Sequence, residues 1–519
     1  MTDSQPLTER PYWLAEALRS DPGTPCPALA GTTHADVCIV GGGYAGLWTA
    51  YELHEREPSL EIVLLEADIC GAGGSGANGG FFSASWHDLS ALCGFFGAGE
   101  GGRYAAALAR QVDELGDWCV RHQADIDFHH EGILYAQADD WQAEPPYEAV
   151  GRLAALGQSE RLRPLTANEA RAIADSPRFR RGVIAPDSGT VQPAKLAREL
   201  RRVLLERGVR IYERTPLLDI TGWEPEGAAP RARPASPEAS TVMSSIRMTT
   251  SGESVPHGAR QRSTVRHGRV HVTTPQGLVV ADDVVLTIGA WAVRRPEFRR
   301  AFAVVNDFMA VTEPIPDRLT AIGWTNHTGI ADSRENFYYL RRTDDDRIAI
   351  GGGCSRIIYD GRVEHAKAVS LHAARQAAAG LAWLFPQLEG VRFTHAWTGP
   401  MDMTAALVPF FMTLPGPGGY LHVGLGFSGH GQAATKVGGK ILAALTLHIE
   451  DEWSSLPVVG PPLSLVPPEP LRWPLVRTVA WAADSGDRAV ERGRPRGPVR
   501  SLITTAFNAY RASRRRRPR

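Results

Sequence analysis

The sequence predicts an α/β fold in which a mostly parallel sheet is interleaved with an α+β portion built on antiparallel strands. Three observations carry that reading. Residues 36–40 form an apolar, β-branched run that closes on Gly41-x-Gly43-x-x-Gly46, the pattern of a buried strand, a tight turn and a helix start. A second apolar run, 62–65, ends at Glu66, twenty residues past Gly46. Glycine-rich turns then recur at 71–80, 289 and 424–431, whereas residues 301–392 shift to longer alternating strands.

Taken in order, residues 1–33 carry prolines at 6, 11, 22, 25 and 27 and read as an extended arm with a short helix around 13–18. In the turn that follows strand 36–40, Gly41 allows the sharp bend and Gly43 lets backbone approach a phosphate. Gly46 lets the helix pack close to the strand, with its positive end facing an anion. Glu66 stands where an acid can accept a ribose hydroxyl, so strand, turn, helix, strand and acid together specify a Rossmann-type dinucleotide site. The dense glycines of 71–80 suit backbone laid against a ligand, or else a flexible loop. Helical spacing covers 105–120, a strand pair 128–137, and a short helix 168–174 behind a cap at Thr166. Residues 182–193 lead into a helix, 194–207, and a third parallel strand, 209–212.

Residues 224–269 are rich in Pro, Ala, Ser, Gly and Arg and are expected to form a disordered surface insertion. Strands follow at 270–274 and 278–280 around a turn at 275–277, then a buried strand over 283–291. Antiparallel strands are expected at 303–312, 336–341 and 347–352, then a helix at 366–385. A strand and glycine loop occupy 420–431, and a helix 432–448. The expected organisation is an arm (1–33), a nucleotide-binding domain (34–90, 180–295 and 393–450), a substrate domain (91–179 and 296–392) and a proline-rich accessory tail (451–519).

Composition is that of an ordinary globular protein: 519 residues, 43% hydrophobic and 22% charged, with a formal net charge of −1. That balance gives no pull towards nucleic acid. The basic end, Arg514-Arg-Arg-Arg-Pro-Arg519, reads as a solvated tail or as a contact for a membrane surface or acidic partner. Six scattered cysteines show no metal-ligand spacing, so no metal is expected and the compartment reads as reducing and cytoplasmic. No signal peptide or membrane-length apolar run is seen.

One nucleotide needs only the first glycine turn; several such turns imply a longer cofactor. The helix behind 424–431 would set its positive end against a ring that becomes anionic on reduction. The segments 39–47, Glu66, 74–80, 187–193, 285–291 and 424–431, in this order, resemble the FAD-dependent D-amino-acid oxidase superfamily, especially its γ-glutamylputrescine oxidase and glycine oxidase branch. The resemblance spans roughly 34–450. It implies FAD and oxidation of a C–N bond in an amine or amino acid, with hydride passing to flavin and the imine hydrolysing afterwards; no position matches the covalent attachment found in some relatives, so the FAD is expected to be noncovalent. Oxygen or a quinone would take the electrons. Carried over by position, Gly41, Gly43, Tyr44, Ala45 and Gly46 hold pyrophosphate, Glu66 the ribose, and Ser75, Asn78 and Gly79 the flavin side. Gly289 and Trp291 flank the nucleotide, and Gly426, Phe427, Ser428, Gly429, His430 and Gly431 lie at the reduced-ring edge. The sequence departs from relatives at 405–407, where Ala405, Ala406 and Leu407 are apolar.

Candidate catalytic residues are His87, Tyr338 and Asp402. Each has a structural alternative: His87 as a helix cap, Tyr338 as core, Asp402 as an acceptor for backbone N–H groups. His430 suits cofactor contact better than base work, and Arg334 could pair a substrate carboxylate. The competing functions are an NAD(P)H-dependent flavin monooxygenase and a non-catalytic FAD-binding protein.

Overall fold

A computed structural model describes residues 10–138, 145–223, 269–353, 356–363 and 371–492, with 494, 497–498, 500–503 and 505–506 besides. The expected insertion, apart from Arg269, and the basic terminus lie outside the described residues.

Five parallel strands form the spine of the first sheet, in the order Gly419–Leu425, Gly277–Leu286, Gly31–Val40, Ile62–Leu65, Arg210–Tyr212. Strict alternation explains why both faces are covered. Val37, Ile39, Ile62 and Leu64 pack with helices Tyr44–Arg56, Pro193–Glu206 and Gly431–Thr446, while Cys38, Val40, Val63 and Leu65 join the core on the other face. Gly31–Val40 has its helix-linked neighbour on one side and Gly277–Leu286 on the other. The crevice at its C-terminal end is therefore a topological switch point, where open α/β sheets bind ligands.

The second sheet has nine strands, all antiparallel except for the pairing of Gly329–Asp332 with Ile133–Gln137. One face carries Phe308, Ala310, Tyr338, Leu340 and Ile350 against helix Leu371–Leu384. The opposite face carries Met309, Val311, Tyr339 and Trp397 against Trp13 and Ala77, the side on which the 71–80 loop lies.

Several elements differ from expectation. The hairpin return and the buried strand after it are one ten-residue strand, Gly277–Leu286, because Ala281 continues the apolar alternation between them. Of the expected strand pair at 128–137, only Ile133–Gln137 is a strand; before it His129 makes a single bridge to Thr190. Residue 393 marks no change of sheet: Phe393–Met403 pairs along Ala303–Thr312, and Arg181–Ala185 also belongs to the nine-stranded sheet. Residues beyond 451 pack rather than trail. Trp453, Leu456 and Val458 are buried, Phe411 donates its N–H to Val458 O, and Arg472 of helix Arg472–Glu491 reaches Phe302 O. The short helix of the arm is Tyr12–Ser20, and Trp13 is buried edge-on against Trp397.

Thr166 caps helix Ala167–Ile173 in a full capping box, its hydroxyl taking the Glu169 N–H while the Glu169 side chain takes the Thr166 N–H. Thr166→Ala is expected to lower stability by about 1 kcal/mol in urea unfolding.

Candidate functional site

The glycine turns meet at the switch point. Gly41 adopts φ +115°, and a Cβ at Gly46 would lie 2.0 Å from Gly41 O, so both positions exclude side chains. Gly42 donates its N–H to Glu66 Oε2 at 2.8 Å, and Glu66 Oε1 takes the Asp68 N–H. Burial raises the Glu66 carboxyl above its ordinary range, against the pull of those two N–H groups. The Tyr44 N–H goes to Ser75 Oγ at 2.8 Å and its hydroxyl to Pro193 O, which docks the 71–80 loop on the first turn. Ala45 lies buried in that helix, where its carbonyl accepts the Thr49 hydroxyl.

Asn78 links two of the turns. Its Nδ2 donates to Gly74 O and Ser75 O, while its Oδ1 accepts from the Gly80 N–H and from Gln432 Nε2 at 2.6 Å. The loop is thereby tied to the start of helix Gly431–Thr446. Gly79 faces the second sheet: a Cβ there would lie 2.5 Å from the Tyr339 ring. Trp291 stands by Gly73, and Gly289, at φ +52°, has open space around its missing Cβ.

At the 426–431 turn, Ser428 has φ +54° and its hydroxyl accepts the Thr404 N–H. Gly426 and Gly429 both take φ +83°, and Phe427 packs inward on Phe411. Asp402 is buried and turned into this loop, accepting the Gly426 N–H at 2.5 Å, with the backbone N–H groups of Phe427 and Ser428 also near its carboxylate. Burial raises its carboxyl to about 6 despite those donors. The apolar 405–407 segment forms the tight turn after it, with Leu407 at φ +58° and its N–H on Thr404 O.

His87 and His430 come together. With Asp88 they bring ligand-type atoms within 4.8 Å of one another, and His87 Nε2 lies 3.3 Å from Asp88 Oδ2. Burial, reinforced by His430, holds His87 below the usual imidazole range although Asp88 opposes this. Its Nδ1 is buried without a hydrogen-bond partner, and its ring lies 4.3 Å from that of Tyr135. No side chain caps helix Gly431–Thr446, whose N-cap residue is His430.

Tyr338 is not among these groups. Its side chain enters the far-side core, its hydroxyl reaches Gln376 O at 3.4 Å, and the Arg334 guanidinium covers its ring at 3.9 Å. Arg334 itself is buried in a pair with Asp332 at 2.6 Å, on that same side. Strand alternation places the next residue, Tyr339, on the glycine-loop face, where its hydroxyl donates to Asp307 Oδ2 at 2.8 Å. Burial raises Asp307 to about 6, and its Oδ1 is buried without a partner. Sequence reasoning missed Tyr339 and Asp307, because alternation in 337–341 identifies two faces without saying which one roofs the crevice.

The residues fit a long dinucleotide. The N-cap of helix Gly431–Thr446 makes no side-chain cap bond, and in helix Tyr44–Arg56, behind the Gly43 N-cap, Ser75 Oγ takes the first N–H; the N–H groups that follow in these first turns are left for anionic groups. A Cβ on Gly74 would find its nearest neighbour only at 4.0 Å, and one on Gly289 would find none, so both positions border open space.

Known proteins share this architecture. The γ-glutamylputrescine oxidoreductase of Escherichia coli (strain K12) is 25% identical over 442 residues, covering 84% of this chain and 88% of the relative. Glycine oxidase from Geobacillus kaustophilus superposes with a TM-score of 0.59 at 21% identity, over 80% of this chain and 96% of that one. L-amino acid deaminase from Proteus myxofaciens superposes at 0.60 with 14% identity, over 84% and 95%. The model of the family described as FAD dependent oxidoreductase (DAO) matches residues 36–238 and 256–445, and the chain belongs to that family.

Proposed function

We propose that this protein oxidises the C–N bond of a small amine or amino acid in the manner of the γ-glutamylputrescine and glycine oxidase branch, the imine product then hydrolysing. The observation that carries this reading is the meeting of three glycine turns beneath the sheet face that bears Tyr339 and Asp307. FAD, when bound, supplies the hydride acceptor.

The chain's own residues supply position and charge. The first turn and Glu66 hold the pyrophosphate and ribose end, and residues 74–79, Gly289 and Trp291 line the path between the two helix starts. The uncapped end of helix Gly431–Thr446 favours negative charge nearby. An amine must lose a proton before its C–H can leave as hydride. Two buried acceptors lacking partners are available for the ammonium, Asp307 Oδ1 and His87 Nδ1. The Tyr339 hydroxyl holds the Asp307 carboxyl in place, and exclusion of water by the roof strengthens each of these contacts.

Anaerobic mixing of the yellow holoenzyme with polyamines, D-amino acids and N-methylated amino acids tests the reading, and at least one class is expected to bleach the flavin. Bleaching by NADPH but by none of the amines would instead favour a monooxygenase. Within the reading, Tyr339→Phe is expected to lower kcat/KM by about 10- to 100-fold, while Tyr338→Phe changes it less than about twofold because its hydroxyl points into the opposite core. Equal effects of the two substitutions would remove Tyr339 from the site.

A further inference from the structure

Away from the crevice, at one end of the nine-stranded sheet, three segments distant in sequence bring His129, His327 and Asp344 together. His129 precedes strand Ile133–Gln137, His327 precedes Gly329–Asp332, and Asp344 lies in the turn between Tyr338–Arg342 and Ile348–Gly352. The imidazoles stack with ring centroids 3.6 Å apart and planes 5° from parallel. Asp344 Oδ1 lies 2.7 Å from His129 Nε2 and 3.7 Å from His327 Nδ1. Each residue offers one ligand atom within 4.8 Å of the others. We propose that His129, His327 and Asp344 form a binding site for a divalent transition-metal ion of the zinc type, which clips together the ends of these neighbouring strands.

Three features separate the cluster from an ordinary polar surface. First, His327 Nδ1 is shut off from solvent and has no hydrogen-bond partner, so a lone pair or proton there goes unmet. Second, near-parallel face-to-face rings are a poor aromatic arrangement, and the scaffold holds the two histidine backbones close enough to force the rings together. His129 exchanges both backbone hydrogen bonds with Thr190, and the His327 N–H is taken by Glu131 Oε2 at 2.8 Å. The turn is closed by the Thr343 N–H on Arg347 O and by Arg342 on Asp346. Third, Asp344 is half exposed, which leaves an entry route.

Two imidazoles and a carboxylate are the borderline donor set that zinc, cobalt and nickel take, with water filling the remaining position. An ion would replace the hydrogen-bonded proton between His129 and Asp344, and the rings would turn out of their stack until the lone pairs converge. Because Thr190 is in register with Phe81, whose ring meets Tyr339 edge-on, the clip bears on the wall of the crevice without entering it. Cysteine spacing gave no sign of such a site, since its donors are a His pair and an Asp brought together only by sheet topology.

The test uses full-length, flavin-loaded protein stripped with a chelator and titrated with Zn2+ or Co2+ by calorimetry. One ion per chain is expected to bind, raising Tm, with His327→Ala and Asp344→Asn each weakening binding by at least about tenfold. His87→Gln serves as the control for the separate His87, Asp88 and His430 group and is expected to leave this binding unchanged. Failure of wild-type protein to bind, unchanged binding in Asp344→Asn, or loss of the ion in His87→Gln alone would each overturn the proposal. Should His327→Ala fail to fold, Asp344→Asn decides, because its half-exposed side chain is not part of the core.

Discussion

Gly46→Ala is expected to yield protein that purifies colourless, with a Tm well below wild type. The added Cβ would lie 2.0 Å from Gly41 O and 2.9 Å from Thr287 Oγ1. The first of these atoms is backbone, so no rotamer change relieves the contact. Overpacking of this kind costs about 1–3 kcal/mol where neighbours can shift. Here the shift opens the turn itself and strains the Thr287 N–H bond to Val40 O that joins the two central strands. The turn N–H groups proposed to bind phosphate are thereby displaced, so the expected loss of flavin exceeds the loss of stability. Gly99→Ala and Gly102→Ala provide the contrast. Both lie in helix Ala98–His122 with nothing within 4 Å of the new atom, and each is expected to be neutral or to gain up to about 1 kcal/mol. Flavin absorbance and thermal unfolding of the three variants decide the matter; a yellow Gly46→Ala with wild-type FAD affinity would show that the turn does not hold the pyrophosphate.

The parts of this fold that were legible in sequence are those whose physics is local. Residues 62–65 are apolar at every position because both faces of that strand are covered, and Thr166 with Glu169 spells a capping box within four residues. Gly41, Gly43 and Gly46 are legible for the same reason, the turn being made by neighbours in the chain. What depended on distant partners was not legible. Strand Phe393–Met403 alternates weakly and contains Gly399 and Pro400, and it holds its place through pairing along Ala303–Thr312. Tyr338 and Tyr339 are indistinguishable until the sheet has a roof side and a helix side. The stretch after 451 looked like a tail because its prolines interrupt every period, yet Trp453, Leu456 and Val458 fill a gap in the main core without regular structure.

Asp402 is the position at which a site residue named from sequence changes meaning, and its two substitutions separate the possibilities. As the acceptor for the Gly426 N–H it holds the turn that leads into helix Gly431–Thr446. Asp402→Ala leaves the Gly426 N–H buried and unpaired, so a loss of about 1–3 kcal/mol is expected, with weakened flavin retention. Asp402→Asn keeps an acceptor oxygen but cannot ionise, which exposes the pH dependence. Burial raises the wild-type carboxyl from 3.8 to about 6, so the folded state binds its proton more tightly than the unfolded state does. Below about pH 4 both states are protonated and there is no penalty. Between about 4 and 6 the unfolded chain ionises first, so wild-type stability falls with rising pH, by up to about 3 kcal/mol from this group, and stays lower above 6. Asp307 and Asp332 are also raised to about 6 and contribute in the same direction in both proteins. The difference between wild type and Asp402→Asn in urea unfolding therefore isolates Asp402, and it is expected to shrink or reverse in favour of the variant across that window. Parallel curves would mean that the carboxyl titrates normally and does not serve this loop. If instead the Asn variant kept its flavin but lost amine turnover at every pH, Asp402 would be a participant in proton transfer and the loop-holding account would fail.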